Sequence, residues 1–165
     1  MIELIKSRRS IREFTQEEVS EDLIEKIIEA GKWAPSGLNN QPWRFLIIRK
    51  QDKIEEISKY TKYKKTVNSA KVLIIVFLDK GSSYNYIKDV QAIGACIQNM
   101  LLFIHELGLG ACWIGEILNQ SEELNRYLRV KDNLELMAVL VIGHPVKKER
   151  KSSRRDIQDL VIGWG

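Results

Sequence analysis

One stretch limits the architecture more than any other. Between Tyr86 and Leu107, apolar residues recur at Ile87, Val90, Ile93, Ile97, Met100, Leu101, Ile104 and Leu107, the three-and-four spacing of an α-helix. Ala92, Ala95, Leu102 and Phe103 widen that stripe nearly all the way round. A helix apolar on most faces must be covered on most faces, so it belongs at the centre of its domain. A chain of 165 residues has limited material for that cover, and a partner chain is a natural source of the rest. Gly108 and Gly110 stop the helix.

The remaining elements read outward from it. Ile2, Leu4 and Ile5 predict a short helix over residues 2–8 that delivers Arg8 and Arg9 at its C-terminal end. Ser20 is a good N-cap, with Glu21 and Asp22 in the first turn where the helix dipole favours acids. The stripe Leu23, Ile24, Ile27, Ile28 and Ala30 predicts a second helix, ended or loosened by Gly31. Arg44 to Arg49 reads as a strand, and Asp52 as the cap of a charged helix reaching about Tyr60. Thr61 to Lys71 has no clear pattern. Val72 to Leu78 is a near-continuous apolar run, which predicts a buried central strand. Ala111 to Gly115 is a short strand and turn; Ser121 caps a helix to about Leu128; Leu134 to Gly143 is a further buried strand. These elements predict one domain over residues 1–165, with mixed strands covered by helices on both faces.

Composition removes several classes of function. No apolar run reaches membrane-spanning length, and acid and base stand within the first six residues, unlike a signal peptide. Cys96 and Cys112 form no CxxC pair, and His105 and His144 have no metal-ligand partner at helical spacing. No metal site is expected, and a reducing cytoplasm is the natural setting. The net charge is +4, yet the excess is local. Lys147, Lys148, Arg150, Lys151, Arg154 and Arg155 face only Glu149; without them 20 basic residues (26 less six) meet 21 acidic ones (22 less one). A nucleic-acid binder more often carries a broad basic face, so that class is the alternative reading and not the leading one.

Two segments carry candidate chemistry. Ser7-Arg8-Arg9-Ser10-Ile11-Arg12-Glu13-Phe14 places three planar, permanently charged forks and a small donor within five positions, a composition suited to phosphate. Alone it is also compatible with a solvated basic turn. Trp33 to Trp43 contains two prolines, a glycine, a serine and two asparagines, so it is a loop, rich in amides and hydroxyls and bounded by tryptophans. Neither G-x-G-x-x-G after a strand nor G-x-x-x-x-G-K-[ST] occurs, and no nucleophile elbow is visible. Any hard chemistry therefore falls to a bound cofactor that the protein positions.

Arg8 to Phe14, then Ala34-Pro35-Ser36-Gly37-Leu38-Asn39-Asn40-Gln41-Pro42-Trp43-Arg44-Phe45, then Gly108-Leu109-Gly110-Ala111-Cys112-Trp113-Ile114-Gly115 resemble, in order, the signature segments of the FMN-dependent nitroreductase family. The resemblance spans essentially the whole chain. It implies an α+β, three-layer fold with a mixed, mostly antiparallel sheet flanked by helices, and an intertwined homodimer with two FMN sites at the subunit interface. It implies that Arg8, Arg9 and Ser10 hold the FMN phosphate and ribityl chain. Arg12 would lie towards the pyrimidine edge. Pro35, Ser36, Gly37 and Asn39, with Gln41 a weaker candidate, match the loop that reaches the FMN of the other subunit. Ile114 and Gly115 match the turn beside flavin N5, and Arg154 and Arg155 match a basic pair returning to the phosphate.

The activity so implied is an FMN-dependent NAD(P)H oxidoreductase working by ping-pong hydride transfer to a quinone, nitro compound or other small oxidised acceptor. No side chain is needed as acid or base, and Cys112 is expected to be a packed strand residue and not a redox thiol. The other class open to the sequence is a non-catalytic flavin-binding or storage protein. The chain is short for the family, which implies reduced walls around the substrate pocket. Ala70-Lys71 stands where Ala-Pro is common, and residues 62–68 offer several polar contacts to the ring without a single choice.

Overall fold

The computed structural model describes residues 1–146 and 152–165. Among them, Ile2–Ser7 (α1), Glu21–Lys32 (α2), Trp43–Ile48 (β1), Gln51–Ser58 (α3), Lys64–Ser69 (α4), Val72–Asp79 (β2), Tyr86–Glu106 (α5), Gly110–Ile114 (β3), Ser121–Leu128 (α6) and Leu134–Gly143 (β4) follow one another. The four strands form one sheet in the order β1-β2-β4-β3, and every pairing is antiparallel. The parallel component expected of a mixed sheet is a single bridge, Ser10 to Ala111, outside the named strands.

Alternation along β2 decides the layering. Val72, Ile74, Val76 and Leu78 enter one core; Leu73, Ile75 and Phe77 enter the other. Because both faces are buried, the strand is apolar without interruption, as its sequence predicts. On β4, Ala138, Leu140 and Ile142 face the first core and Leu136, Val139 and Val141 the second. Val76 pairs with Ala138 but Phe77 with Leu136, so Met137 is the extra residue of a β-bulge that resets the alternation. Helices α2 and α5 cover the first face, and α3, α4 and α6 the second, giving three layers.

Helix α5 meets the length and composition of a membrane span, contrary to the expectation that no stretch does, yet eight of its residues are buried, seven of them in the core shared with α2 and the sheet. It is a core helix. Its cover is incomplete within one chain: Ile87 is 70% exposed, and Ala95, Phe103 and Leu107 are only partly buried. Gly31 stands one residue before the end of α2 at Lys32. It lies inside the helix where α5 crosses, and a Cβ there would sit 2.7 Å from Met100 Cγ.

Other boundaries differ for local reasons. Asp52 is in the first turn of α3, whose N-cap is Lys50, and Ser121 begins α6 after the N-cap Gln120. The patternless run after Thr61 contains α4, six residues too short to show a period. The C-terminal segment forms only a 3-10 turn at Ile157–Asp159. Val161 is half-buried, but the larger apolar side chains do not dock on their own chain: Ile157 is 72% exposed, Leu160 63% and Trp164 89%. Lys147, Lys148, Arg150 and Lys151 lie outside the described residues. The outer edge of β1 is also uncovered, and beside it runs an apolar-floored groove of about 1020 Å³ lined by Ile24, Ile28, Leu46, Ile48 and Leu128.

Candidate functional site

Helix α1 ends because Arg8 turns extended, at φ −56° and ψ 131°. The chain then runs alongside β3. Ser10 bridges Ala111, and the Ile11 N–H donates to the Ala111 carbonyl at 2.8 Å. The approach is so close that a Cβ on Gly110 would lie 2.9 Å from Ile11 Cβ, and glycine is required there. The basic segment is thereby fixed to the strand that ends in Ile114 and Gly115.

The C-terminal end of α5 closes this corner. The Ser7 hydroxyl donates to the Leu4 carbonyl at 3.2 Å, and so receives its 2.8 Å hydrogen bond from His105 Nε2–H. Arg8, Arg9 and His105 line one small cavity with Leu101, Ile104 and Ala111. The Arg9 guanidinium donates to the carbonyls of Lys6 at 2.6 Å and Arg8 at 3.0 Å. Burial, then Arg154, then Arg9, hold the Arg8 pKa below its ordinary value. Burial and the same two arginines of the segment, Arg8 and Arg9, lower that of His105. Among the described residues Arg44, Arg49 and Arg126 pair with acids, whereas Arg8, Arg12 and Arg154 do not. Cations gathered in this way, at a cost visible in the lowered pKa of Arg8, are a seat for a polyanion such as a phosphate monoester. Arg155 is exposed beside Arg154.

Cys112 lies beneath the segment, 4% exposed. Burial raises its thiol pKa despite the lowering by Arg12, Ser10 and Arg8, so it is a neutral packing residue.

The loop between α2 and β1 is built differently. Leu38, Asn39 and Gln41 have φ of 55°, 55° and 46°, left-handed values that non-glycine residues adopt only under constraint. The Ser36 hydroxyl accepts from the Gln41 N–H at 3.0 Å, and the Gln41 amide donates to the Asn39 carbonyl at 3.2 Å. Pro35, Asn39 and Gln41 are exposed, and Ser36 and Gly37 half-buried; Gly37 packs flush against the Tyr84 ring.

The structure does not bring the two segments together. The loop meets α5 at its first turn, through Asn40 and Asp89; the basic segment meets it at His105. Sixteen helical residues at 1.5 Å each separate these points by about 24 Å. Within one chain, Arg8, Arg9, Ser10, Arg12 and Arg154 gather at β3, while Pro35 to Gln41 stand at the other end of the core helix.

Three contacts were not legible in the sequence. His105 belongs to the basic corner, which its isolation in the chain conceals. Asp89 holds the loop, although its place four residues after the N-cap Asn85 gives a signal. Glu116, next to Gly115, accepts from the Thr61 hydroxyl at 2.5 Å and the Lys62 N–H at 3.2 Å, which fixes the patternless run against the turn after β3.

Known proteins resemble this chain in sequence and in fold. The sequence model of the nitroreductase family matches residues 5–69 and 55–144. A Methanothermobacter thermautotrophicus protein named "Putative NADH dehydrogenase/NAD(P)H nitroreductase" is 36% identical over 151 residues, 89% of this chain and 78% of its own. The Bacillus subtilis protein named FMN reductase [NAD(P)H] is 27% identical over 175 residues, 93% of this chain and 70% of its own. Among solved structures, a "putative nitroreductase in complex with FMN" from Desulfovibrio desulfuricans superposes with a TM-score of 0.93 at 46% identity, covering 99% of this chain and 96% of the other.

Proposed function

The chain belongs to the nitroreductase family, and from that premise we propose that it is a single-domain, FMN-dependent NAD(P)H oxidoreductase whose two sites are each built from two copies of the chain. The observation that carries the reading is the gathering of Arg8, Arg9, His105 and Arg154 at the start of β3. FMN fits that cluster, because its phosphate complements Arg8 and Arg154, which pair with no acid among the described residues. The family relationship and the relatives named for FMN and NAD(P)H support the same cofactor pair.

Bound FMN would supply the redox chemistry, a ping-pong hydride transfer from NAD(P)H to a small oxidised acceptor such as a quinone or nitro compound. The protein binds and orients. Arg8, Arg9, Ser10, Arg154 and Arg155 hold the phosphate, and Arg12 supplies positive charge beside the ring. The Ile114–Gly115 backbone forms a floor fixed by Glu116. Amides and hydroxyls of Ser36, Asn39 and Gln41, with Pro35 and Gly37 shaping the turn, serve the uncharged part of the cofactor. No side chain of this set is needed as general acid or base, because the cofactor carries the chemistry.

A second copy resolves three features at once. It can set one chain's loop against the other's basic segment, which a single chain holds about 24 Å apart. It covers the outer side of α5. It also gives the exposed Ile157, Leu160, Ile162 and Trp164 somewhere to dock, and the groove along the open β1 edge has the apolar floor for them. Free, buried Cys96 and Cys112 suit a reducing cytoplasm.

The test is optical. Purified protein is expected to be yellow with about one FMN per chain, and anaerobic NADH or NADPH should bleach it. A colourless protein that takes up no FMN contradicts the proposal; a yellow one that neither nucleotide bleaches indicates flavin storage.

A further inference from the structure

Asp89 is fully buried in the first turn of α5, and four donors converge on its carboxylate. Three reach Oδ2: the Ser83 hydroxyl at 2.6 Å and the N–H groups of Tyr84 and Asn85, each at 3.1 Å. These all come from the turn leading into the helix and complete its start. The fourth is remote. Asn40 Nδ2 donates to Oδ1 at 2.7 Å, across 49 positions of sequence, and also to the Ser82 carbonyl at 3.0 Å. One carboxylate oxygen thus caps the helix and the other is given to the loop.

That loop needs a holder. Asn40 sits between Asn39 and Gln41, both left-handed, and a chain released from such a conformation relaxes away from it. The Ser36–Gln41 bond is internal to the loop and cannot fix it to the body of the protein. Asn40 ties the middle of the loop to buried structure. A charge-assisted bond in a low-dielectric setting is a strong anchor.

We infer that Asp89 and Asn40 form a buried clamp that holds Ser36 to Gln41 in the shape that receives the uncharged ring and ribityl portion of the flavin, so that both are positioning residues for cofactor binding. The inference rests on the flavin reading above. Because the loop offers amides and hydroxyls and no charge, the clamp serves FMN and riboflavin alike, whereas the arginine seat serves only FMN.

The experiment compares FMN and riboflavin dissociation constants with the melting temperature of the flavin-free protein. Asn40→Ala leaves the three helix-start donors on Asp89. It should weaken both flavins by about tenfold, the scale of a lost hydrogen bond to a charged group, with the FMN-to-riboflavin ratio unchanged. Its melting temperature should stay within about 4 °C of wild type. Asn40→Asp sets carboxylate against carboxylate and should bind more weakly still. Adding Asp89→Asn to it restores a donor–acceptor pair and should recover most of the loss, a coupling that a general packing defect does not produce. Unchanged affinity in Asn40→Ala overturns the clamp, as does a double variant no better than Asn40→Asp, or an affinity loss accompanied by a collapse in melting temperature. If wild-type protein binds neither flavin, the flavin reading itself falls and this inference with it. Normal wild-type binding with an unaffected Asn40→Ala removes the clamp alone.

Discussion

Ser10 and Ala111 meet in the one parallel bridge among the described residues, and the Ile11 N–H donates to the Ala111 carbonyl at 2.8 Å beside it. This contact turns two distant sequence segments into one wall. Gly110 makes it possible, since an added Cβ would meet three Ile11 carbons at 2.8–2.9 Å. Gly110→Ala should therefore force the wall apart. The expected cost is about 1–3 kcal/mol of stability, the scale of an overpacked core, together with weaker FMN binding. Thermal unfolding and flavin titration of the same sample check it; a variant normal in both contradicts the contact.

The arginine seat makes a narrower claim. Arg8→Ala should weaken FMN by at least about tenfold, since charge-assisted bonds to phosphate contribute roughly 1.5–3 kcal/mol. Riboflavin lacks the phosphate and should bind Arg8→Ala as it binds wild type. Equal losses for the two flavins would remove the phosphate seat from Arg8.

Cys112 is two residues from Ile114, close enough to invite a redox role. Its burial and raised pKa argue for packing. Cys112→Ala should keep NAD(P)H oxidation within about threefold of wild type, because only a small buried side chain is trimmed. A hundredfold loss with FMN still bound would show a chemical role.

Acid stability follows from Asp79. Burial pushes its carboxyl pKa up, but Ser82, the Gly81 N–H, Asn133 and Arg44 outweigh that and hold it below the ordinary 3.8. Arg44 and Asp79 are 2.7 Å apart, and the pair joins the ends of β1 and β2. A group whose folded pKa is depressed contributes stability that is present above its unfolded value and is lost as pH falls through the folded one. Wild-type protein should lose stability as pH drops below 3.8, and Asp79→Asn should show a shallower loss while being less stable at neutral pH. Parallel pH profiles of melting temperature for the two proteins would contradict this.

The fold was legible where burial is two-sided or periodic. Val72 to Leu78 and α5 carry their environment in their composition, and Ser20 does accept from the Leu23 N–H at 3.4 Å as an N-cap should. Helix α4 was not legible, because six residues do not establish a period. Gly31 marked the end of α2 to within one residue, but its packing role, making room for Met100, was not legible. Of the candidate site, the segments were identifiable from their residue types. Their connections were not. His105, Asp89 and Glu116 act through partners between 49 and 98 positions away, a separation at which one sequence carries no pairing signal.

Loop and basic segment stand about 24 Å apart along α5 in one chain, so a two-chain site is tested by complementation. Arg8→Ala damages the phosphate seat of its own chain, and Asn39→Ala damages the loop. Each homodimer should bind FMN weakly and turn over slowly. In a purified heterodimer of the two, one site carries both defects and the other carries neither. The heterodimer should bind one tight FMN and show about half of wild-type activity, as expected when one of two independent two-fold-related sites is intact. A heterodimer no better than its parents would place Arg8 and Asn39 in the same site from the same chain, and the shared-site architecture would be wrong.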